Sequence, residues 1–227
     1  MSARRAVLLV GSARPRGEST SEALGRYLLA RLESSDWEGQ VFIVSQVRGP
    51  DGLAELTAAI GDADLFVLAT PLYVDALPHL VTAALEHIAD ARAAQPQPTP
   101  CRFVAIVNCG FPEVAHTAVA LDICRSFARH ARLECAGALG LGGGETVHGR
   151  GLERMGWVTR HVRHALDLAA LALASHRPVP EKAVQLMGRP MLPVRGYLLA
   201  ADALLWRREA RKHGVEKYLD ARPYAHE

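Results

Sequence analysis

Three short segments of the 227-residue chain gather the side chains able to hold an anion or a flat ligand. The first is Gly11-Ser12-Ala13-Arg14-Pro15-Arg16-Gly17-Glu18-Ser19-Thr20-Ser21, whose three closing hydroxyl residues open a helical pattern. Hydroxyls and the unpaired N–H groups of a first helical turn donate to a phosphate, the helix dipole adds favourable potential, and Arg14 or Arg16 supplies a full charge. Ser19, Thr20 and Ser21 also serve to cap that helix, and the two roles are compatible. The second segment, Thr70-Pro71-Leu72-Tyr73-Val74-Asp75-Ala76-Leu77-Pro78, offers the Tyr73 ring to a planar ligand and backbone groups to its edge. Asp75 reads as the N-cap of the helix that follows. The third, Asn108-Cys109-Gly110-Phe111-Pro112-Glu113, carries a donor and acceptor in Asn108 and a close backbone approach at Gly110.

Other anion motifs do not fit. A Walker loop needs lysine after its second glycine, and Gly17 is followed by Glu18. The glycines Gly137, Gly140, Gly142, Gly143 and Gly144 miss the spacing of a dinucleotide fingerprint, and there is no G-x-S-x-G elbow. His161, His164 and Asp167 fall at i, i+3 and i+6 of a helical pattern, a spacing that reads as a solvated face rather than a metal site. Glu113 and His116 read as the start of a helix near Ala115.

The elements that must position these segments alternate. Aliphatic runs at Ala6–Val10, Gln40–Val44, Asp64–Ala69, Arg102–Val107 and Glu134–Leu139 read as strands. Helical periodicity covers Ser21–Leu32, Leu53–Ile60, Ala76–Ala91 and Ala115–Ala131 between them, then Leu152–Ser175 and Gly196–His213, the last stopped by Gly214. Strand and helix in alternation imply an α/β fold with a parallel sheet covered on both faces. The expected organisation is one domain over residues 1–176 and a helical extension over 177–227 that is not an independent domain. Each chemical segment then lies where a strand ends, and three strand ends converge on one crevice.

Composition narrows the partners. Charge is nearly balanced, with 26 basic and 24 acidic residues, so no general field favours nucleic acid or an anionic membrane. The apolar run of Ala6–Val10 is too short for a secretory leader, and no stretch is long enough to span a bilayer. Cys101, Cys109, Cys124 and Cys135 show no paired spacing and are expected to be reduced thiols of a cytoplasmic protein. The apolar stretch Tyr197–Trp206 runs into Arg207, Arg208, Arg211 and Lys212; packing on its own domain or a second subunit is the leading expectation, and an interfacial membrane helix is the other.

A doubly wound five-stranded sheet lacking the rival signatures fits the flavodoxin-like strand order 2-1-3-4-5, in which FMN sits at the switch point between the first and third strands. From Ala6 to Gly144 the sequence resembles the flavodoxin-like NADPH-dependent FMN reductase and NAD(P)H quinone oxidoreductase families, through its G-S-x-R loop followed by serines and threonine, and its P-x-Y turn. The resemblance implies that Ser12, Arg14, Ser19, Thr20 and Ser21 wrap the FMN phosphate, with Arg16 beside them. It implies that Pro71, Leu72, Tyr73 and Val74 lie against the isoalloxazine, with Asn108, Gly110, Phe111 and Glu113 forming a third flavin loop. Val74 and Asp75 stand where relatives carry a small polar or glycine pair, and Thr82 where they carry lysine. The scattered cysteines set the chain apart from iron–sulfur flavoproteins. The implied activity is hydride transfer from NADPH or NADH to flavin and on to a small electron acceptor such as a quinone or free flavin, in a homodimer or higher homo-oligomer. No catalytic side chain is assigned, because the cofactor carries the chemistry. A flavodoxin-type electron carrier and a non-catalytic binding protein are the two alternatives on the same fold.

Overall fold

In the computed structural model, residues 3–222 are described; the outer ends of the two expected ranges, 1–2 and 223–227, and the side chains of Leu204 and Leu205 lie outside the described residues. The chain divides into two compact units, Met1–Met191 and Leu192–Glu227. The first reaches past the 176/177 boundary read from the sequence, because helix α6 (Glu181–Met187) buries Ala183, Leu186 and Met187 in its core.

That first unit is a five-stranded parallel sheet in the order β2-β1-β3-β4-β5, the flavodoxin-like arrangement. Its strands are β1 (Arg4–Val10), β2 (Trp37–Ile43), β3 (Leu65–Pro71), β4 (Arg102–Asn108) and β5 (Glu134–Leu141). The central strands are apolar through their middles because both faces are covered; successive residues such as Leu8 and Leu9 point to opposite layers. One layer packs α1 (Thr20–Glu33), α5 (Arg160–Ala174) and α6 on Leu8, Val67 and Ile106. The other packs α2 (Pro50–Gly61), α3 (His79–Ala93) and α4 (Ala118–His130) on Leu9, Phe66 and Phe103. There Phe127 meets Phe103 edge-on with ring centroids 5.3 Å apart. Edge strand β2 starts earlier than its aliphatic run, since Glu38, Gly39 and Gln40 face solvent and hide the alternation.

Several boundaries differ from the sequence reading for local reasons. Helix α3 begins at His79, not Ala76, and its N-cap position is Pro78 rather than Asp75. Tyr73 and Ala76 instead close a two-residue hairpin turn with mutual backbone bonds of 2.9 and 3.1 Å, and Asp75 sits inside that turn. Helix α5 begins at Arg160 because Leu152–Met155 forms a separate 3-10 turn ended by Gly156 at φ +55°. The Thr159 hydroxyl, buried, donates to the Leu152 carbonyl at 2.6 Å and ties the two pieces together. A 3-10 turn at Val114–Thr117 likewise precedes α4, with Glu113 before it and no side-chain cap.

In the second unit, the stretch read as one helix is α7 (Val194–Ala201), a π turn at Asp202–Trp206 and α8 (Arg207–Lys212). The widened turn brings residues five apart into register, and Arg207 Nε reaches Asp202 Oδ2 at 2.8 Å. Gly214, at φ +69°, ends the run as expected. Among the described residues no helix is long and apolar enough to cross a membrane.

Candidate flavin site

Buried polar side chains cluster at the C-terminal ends of β1, β3 and β4 and the start of α1: Ser12, Ser19, Thr20, Ser21, Glu22, Thr70 and Asn108. Gly11 turns the chain out of the sheet, its N–H on the Ala69 carbonyl at 2.8 Å, and a Cβ there would lie 2.6 Å from Thr70 and Val81. Ser12 Oγ accepts from the Arg14 N–H at 3.2 Å. Ser19 is the N-cap of α1 and accepts from Glu22 N–H at 3.1 Å. Glu22 completes a variant capping box, but its carboxylate takes the N–H of Gly17 at 2.6 Å and Arg26 Nε at 2.7 Å. Thus the loop is pinned at both ends, and the N–H groups of Thr20 and Ser21, which a helix cannot satisfy itself, point outward from its first turn.

Two of the hydroxyls also stitch the crevice together. Asn108 Nδ2 donates to Ser21 Oγ at 2.8 Å and to the Thr70 carbonyl at 3.1 Å, linking the ends of β3 and β4 to the start of α1. The Thr20 hydroxyl donates to the Gly144 carbonyl at 2.7 Å. Ser12, Ser19 and Ser21 each act as acceptors, which leaves their protons for a ligand oxygen. Thr20 has spent its proton and contributes its backbone N–H.

The β3 end presents Pro71, Leu72 and a half-exposed Tyr73, held by Leu72 N–H on the Asn108 carbonyl at 2.8 Å. The turn beyond has Val74 at φ +49° and Asp75 at φ +57°, the type I′ geometry that favours Asn-Gly. Val74 projects from its tip, 98% exposed.

The sequence reading did not include the loop after β5. Gly142 lies flat on the Pro112 carbonyl and Gly149, at φ +74°, on the backbone of Gly17 and Glu18; a Cβ at either would overlap those atoms. The loop carries Glu145 into the crevice, where Oε2 meets Arg14 Nη2 at 3.3 Å and Oε1 meets His148 Nδ1 at 2.7 Å. Arg14 Nη1 lies 3.2 Å from the same His148 nitrogen.

Ser12, Arg14, Ser19, Thr20, Ser21, Pro71, Leu72, Tyr73, Asn108 and Gly110 line one crevice, together with Cys109 and Glu145. Arg16, Val74, Phe111 and Glu113 do not line it. The turn closed by Glu18 N–H on Pro15 carries Arg16 outward, and Phe111 stacks on His116 at 4.7 Å. Glu113 lies 3.9 Å from the same histidine. Cys109 is buried, donates weakly to the Phe111 carbonyl at 3.4 Å, and burial pushes its thiol pKa up, so it is a neutral packing group. A cluster of hydroxyls, helix N–H groups and one arginine fits a phosphate, and an adjoining aromatic turn fits a flat ring.

Strand order and crevice together define a flavodoxin-like protein with a polar crevice at the switch point. Residues 4–130 match the NADPH-dependent FMN reductase family, and the chain belongs to it. That family is one of flavin-dependent oxidoreductases, in keeping with the donor set described. No curated protein matches the sequence. Among solved structures, the apo form of the NADH:FMN oxidoreductase EMOB is similar over 85% of this chain and 98% of its own, at 18% identity and TM-score 0.55. RosB, solved with bound 8-demethyl-8-formylriboflavin-5′-phosphate, is similar over 88% of this chain and 87% of its own, at 14% identity and TM-score 0.55. An FMN-dependent NADH-azoreductase from Bacillus anthracis, solved with FMN, is similar over 75% of this chain and all of its own (100%), at 11% identity and TM-score 0.53. At these identities the likeness is one of fold.

Proposed function

We propose that this protein is an FMN-dependent oxidoreductase that takes a hydride from NADPH or NADH and passes it to a small acceptor such as a quinone or free flavin. The observation that carries the reading is the convergence of Ser12, Arg14, Ser19, Ser21 and the α1 N-terminus beside Tyr73 in one crevice of a chain from the FMN reductase family. FMN, when bound, supplies the ring that accepts and donates hydride. The chain's own residues bind and orient. The Ser12, Ser19 and Ser21 hydroxyls and the Thr20 and Ser21 N–H groups hold the phosphate, Arg14 supplies charge, and Tyr73 with Pro71 and Leu72 forms the wall for the ring. No side chain of the crevice is needed to hold or move a proton; the Cys109 thiol is kept neutral by burial.

A cytoplasmic setting and a homodimer or higher homo-oligomer belong to the same proposal, and analytical ultracentrifugation tests the second. So does the reading of the C-terminal segment as an extension that is not an independent domain: among the described residues from Leu192 onward, Ala210 is the one apolar side chain that is buried. The functional test is to mix the protein with FMN, desalt it, and add NADPH or NADH without oxygen. Retained yellow colour that bleaches, and returns on adding a quinone, is the expected result. Retained colour that neither nucleotide bleaches would make the protein an electron carrier, and loss of colour on desalting would refute flavin binding.

A further inference from the structure

Glu145 stands where a carboxylate is least expected, on the wall of a crevice built to receive an anion. Its position is fixed by backbone rather than chance. Gly143 N–H bonds the Phe111 carbonyl at 2.6 Å, Gly144 N–H the Cys109 carbonyl at 2.8 Å, and Val147 on the same turn is fully buried. The backbone that carries the carboxylate is therefore held against the β4 loop. It meets Arg14 across 131 positions of sequence, and both partners are partly exposed, a type of ion pair that contributes little to stability. Its consequence is electrostatic: among the described residues Arg14 is the one cation lining the crevice and Glu145 the one anion, so their formal charges cancel.

From this we infer that Glu145 is a specificity-determining residue that shares Arg14 with the ligand's anionic end, and so sets how strongly the crevice prefers a phosphorylated flavin over an uncharged one. The inference rests on the flavin reading above. A dianionic phosphate held by the α1 N-terminus comes within reach of both side chains and meets attraction from one and repulsion from the other. A flavin that ends in a hydroxyl meets neither. With Glu145 in place the crevice prefers FMN over riboflavin less than its hydroxyl and N–H donors with an unopposed Arg14 would. Without its charge, that preference grows. His148 Nδ1 lies 2.7 Å from the same carboxylate.

The test compares dissociation constants for FMN and for riboflavin, by flavin fluorescence, in the wild-type protein and in Glu145→Gln, with Glu145→Ala as the second variant. The amide keeps an acceptor for Arg14 and removes the charge. Expected are FMN binding about tenfold tighter, riboflavin unchanged within about twofold, and an FMN gain that shrinks as salt is raised. A purely structural role would move both flavins together. That outcome, or FMN affinity unchanged or weakened, overturns the inference. Wild-type protein that binds neither flavin refutes the flavin reading itself, a result seen before any substitution is made.

Discussion

The hairpin turn at the end of β3 holds two non-glycine residues in the left-handed region, and relieving it should stabilise the fold. Val74 at φ +49° is the costlier, since a β-branched side chain crowds its own backbone there, and its 98% exposure means that no packing compensates. A left-handed L-residue costs roughly 1–2 kcal/mol. Asn tolerates the region, and Gly has no penalty within it, although Gly at position 75 also loosens the unfolded chain by about 0.5–1 kcal/mol. Replacing Val74 with Asn and Asp75 with Gly should then stabilise the protein by about 1–2 kcal/mol, which for a chain of this size raises the melting temperature by roughly 2–8 °C. The assay is urea unfolding followed by circular dichroism, with a higher midpoint at an unchanged slope. Val74→Thr, which keeps the branch, serves as control and should leave the midpoint in place. A double variant no more stable than the wild type would refute the strain argument.

Five other outcomes follow from the structure. Arg14→Ala should weaken FMN binding by about 1.5–3 kcal/mol, through a lost charge-assisted bond and an unpaired Glu145, as read by fluorescence titration; unchanged affinity would remove Arg14 from the site. Tyr73→Ala should shift the visible spectrum of bound flavin, and an identical spectrum would place the ring elsewhere. Buried Arg92 donates to the carbonyls of Ala131, Thr99 and Arg132, so Arg92→Met should cost about 3 kcal/mol of stability while sparing flavin affinity, because it strands those acceptors far from the crevice. Burial pushes the Cys101 and Cys124 thiols up to about 12 from an ordinary value of 9.0. Folded pKa values above the unfolded ones mean that their contribution is full below about pH 9 and lost as pH rises towards 12, so stability should fall across that alkaline window. In native protein, a thiol reagent should label exposed Cys135 first and the buried pair only on unfolding.

The sheet was legible because parallel strands covered on both faces must be aliphatic runs, and Ala6–Val10 or Arg102–Val107 admit little else. The crevice was legible because glycine, hydroxyl and amide residues interrupt those runs where the strands end. Glu145 was not legible, since it sits beyond the last motif and meets Arg14 only through the fold; the signal present was an acid directly after Gly142-Gly143-Gly144. Asp75 was misread as a cap because Asp before an apolar run suits both a cap and a tight turn, and only the Tyr73–Ala76 pairing separates them. Helix α6 hid behind Pro178 and Pro180, the latter serving as its N-cap position rather than as a break.

The clasp between the first loop and the loop after β5 also bears on how the protein is made. Thr20 waits for Gly144, 124 residues downstream, and Gly17 for Gly149. A chain emerging from the ribosome through β4 already carries the bonds of Gly11 to Ala69, Gly17 to Glu22 and Asn108 to Ser21 that hold this loop, and still lacks the contacts from Gly144 and Gly149. A fragment that stops at residue 130 would therefore hold its first loop from the β1, β3 and β4 side alone, and the loop after β5 closes the clasp only once the last strand is in place.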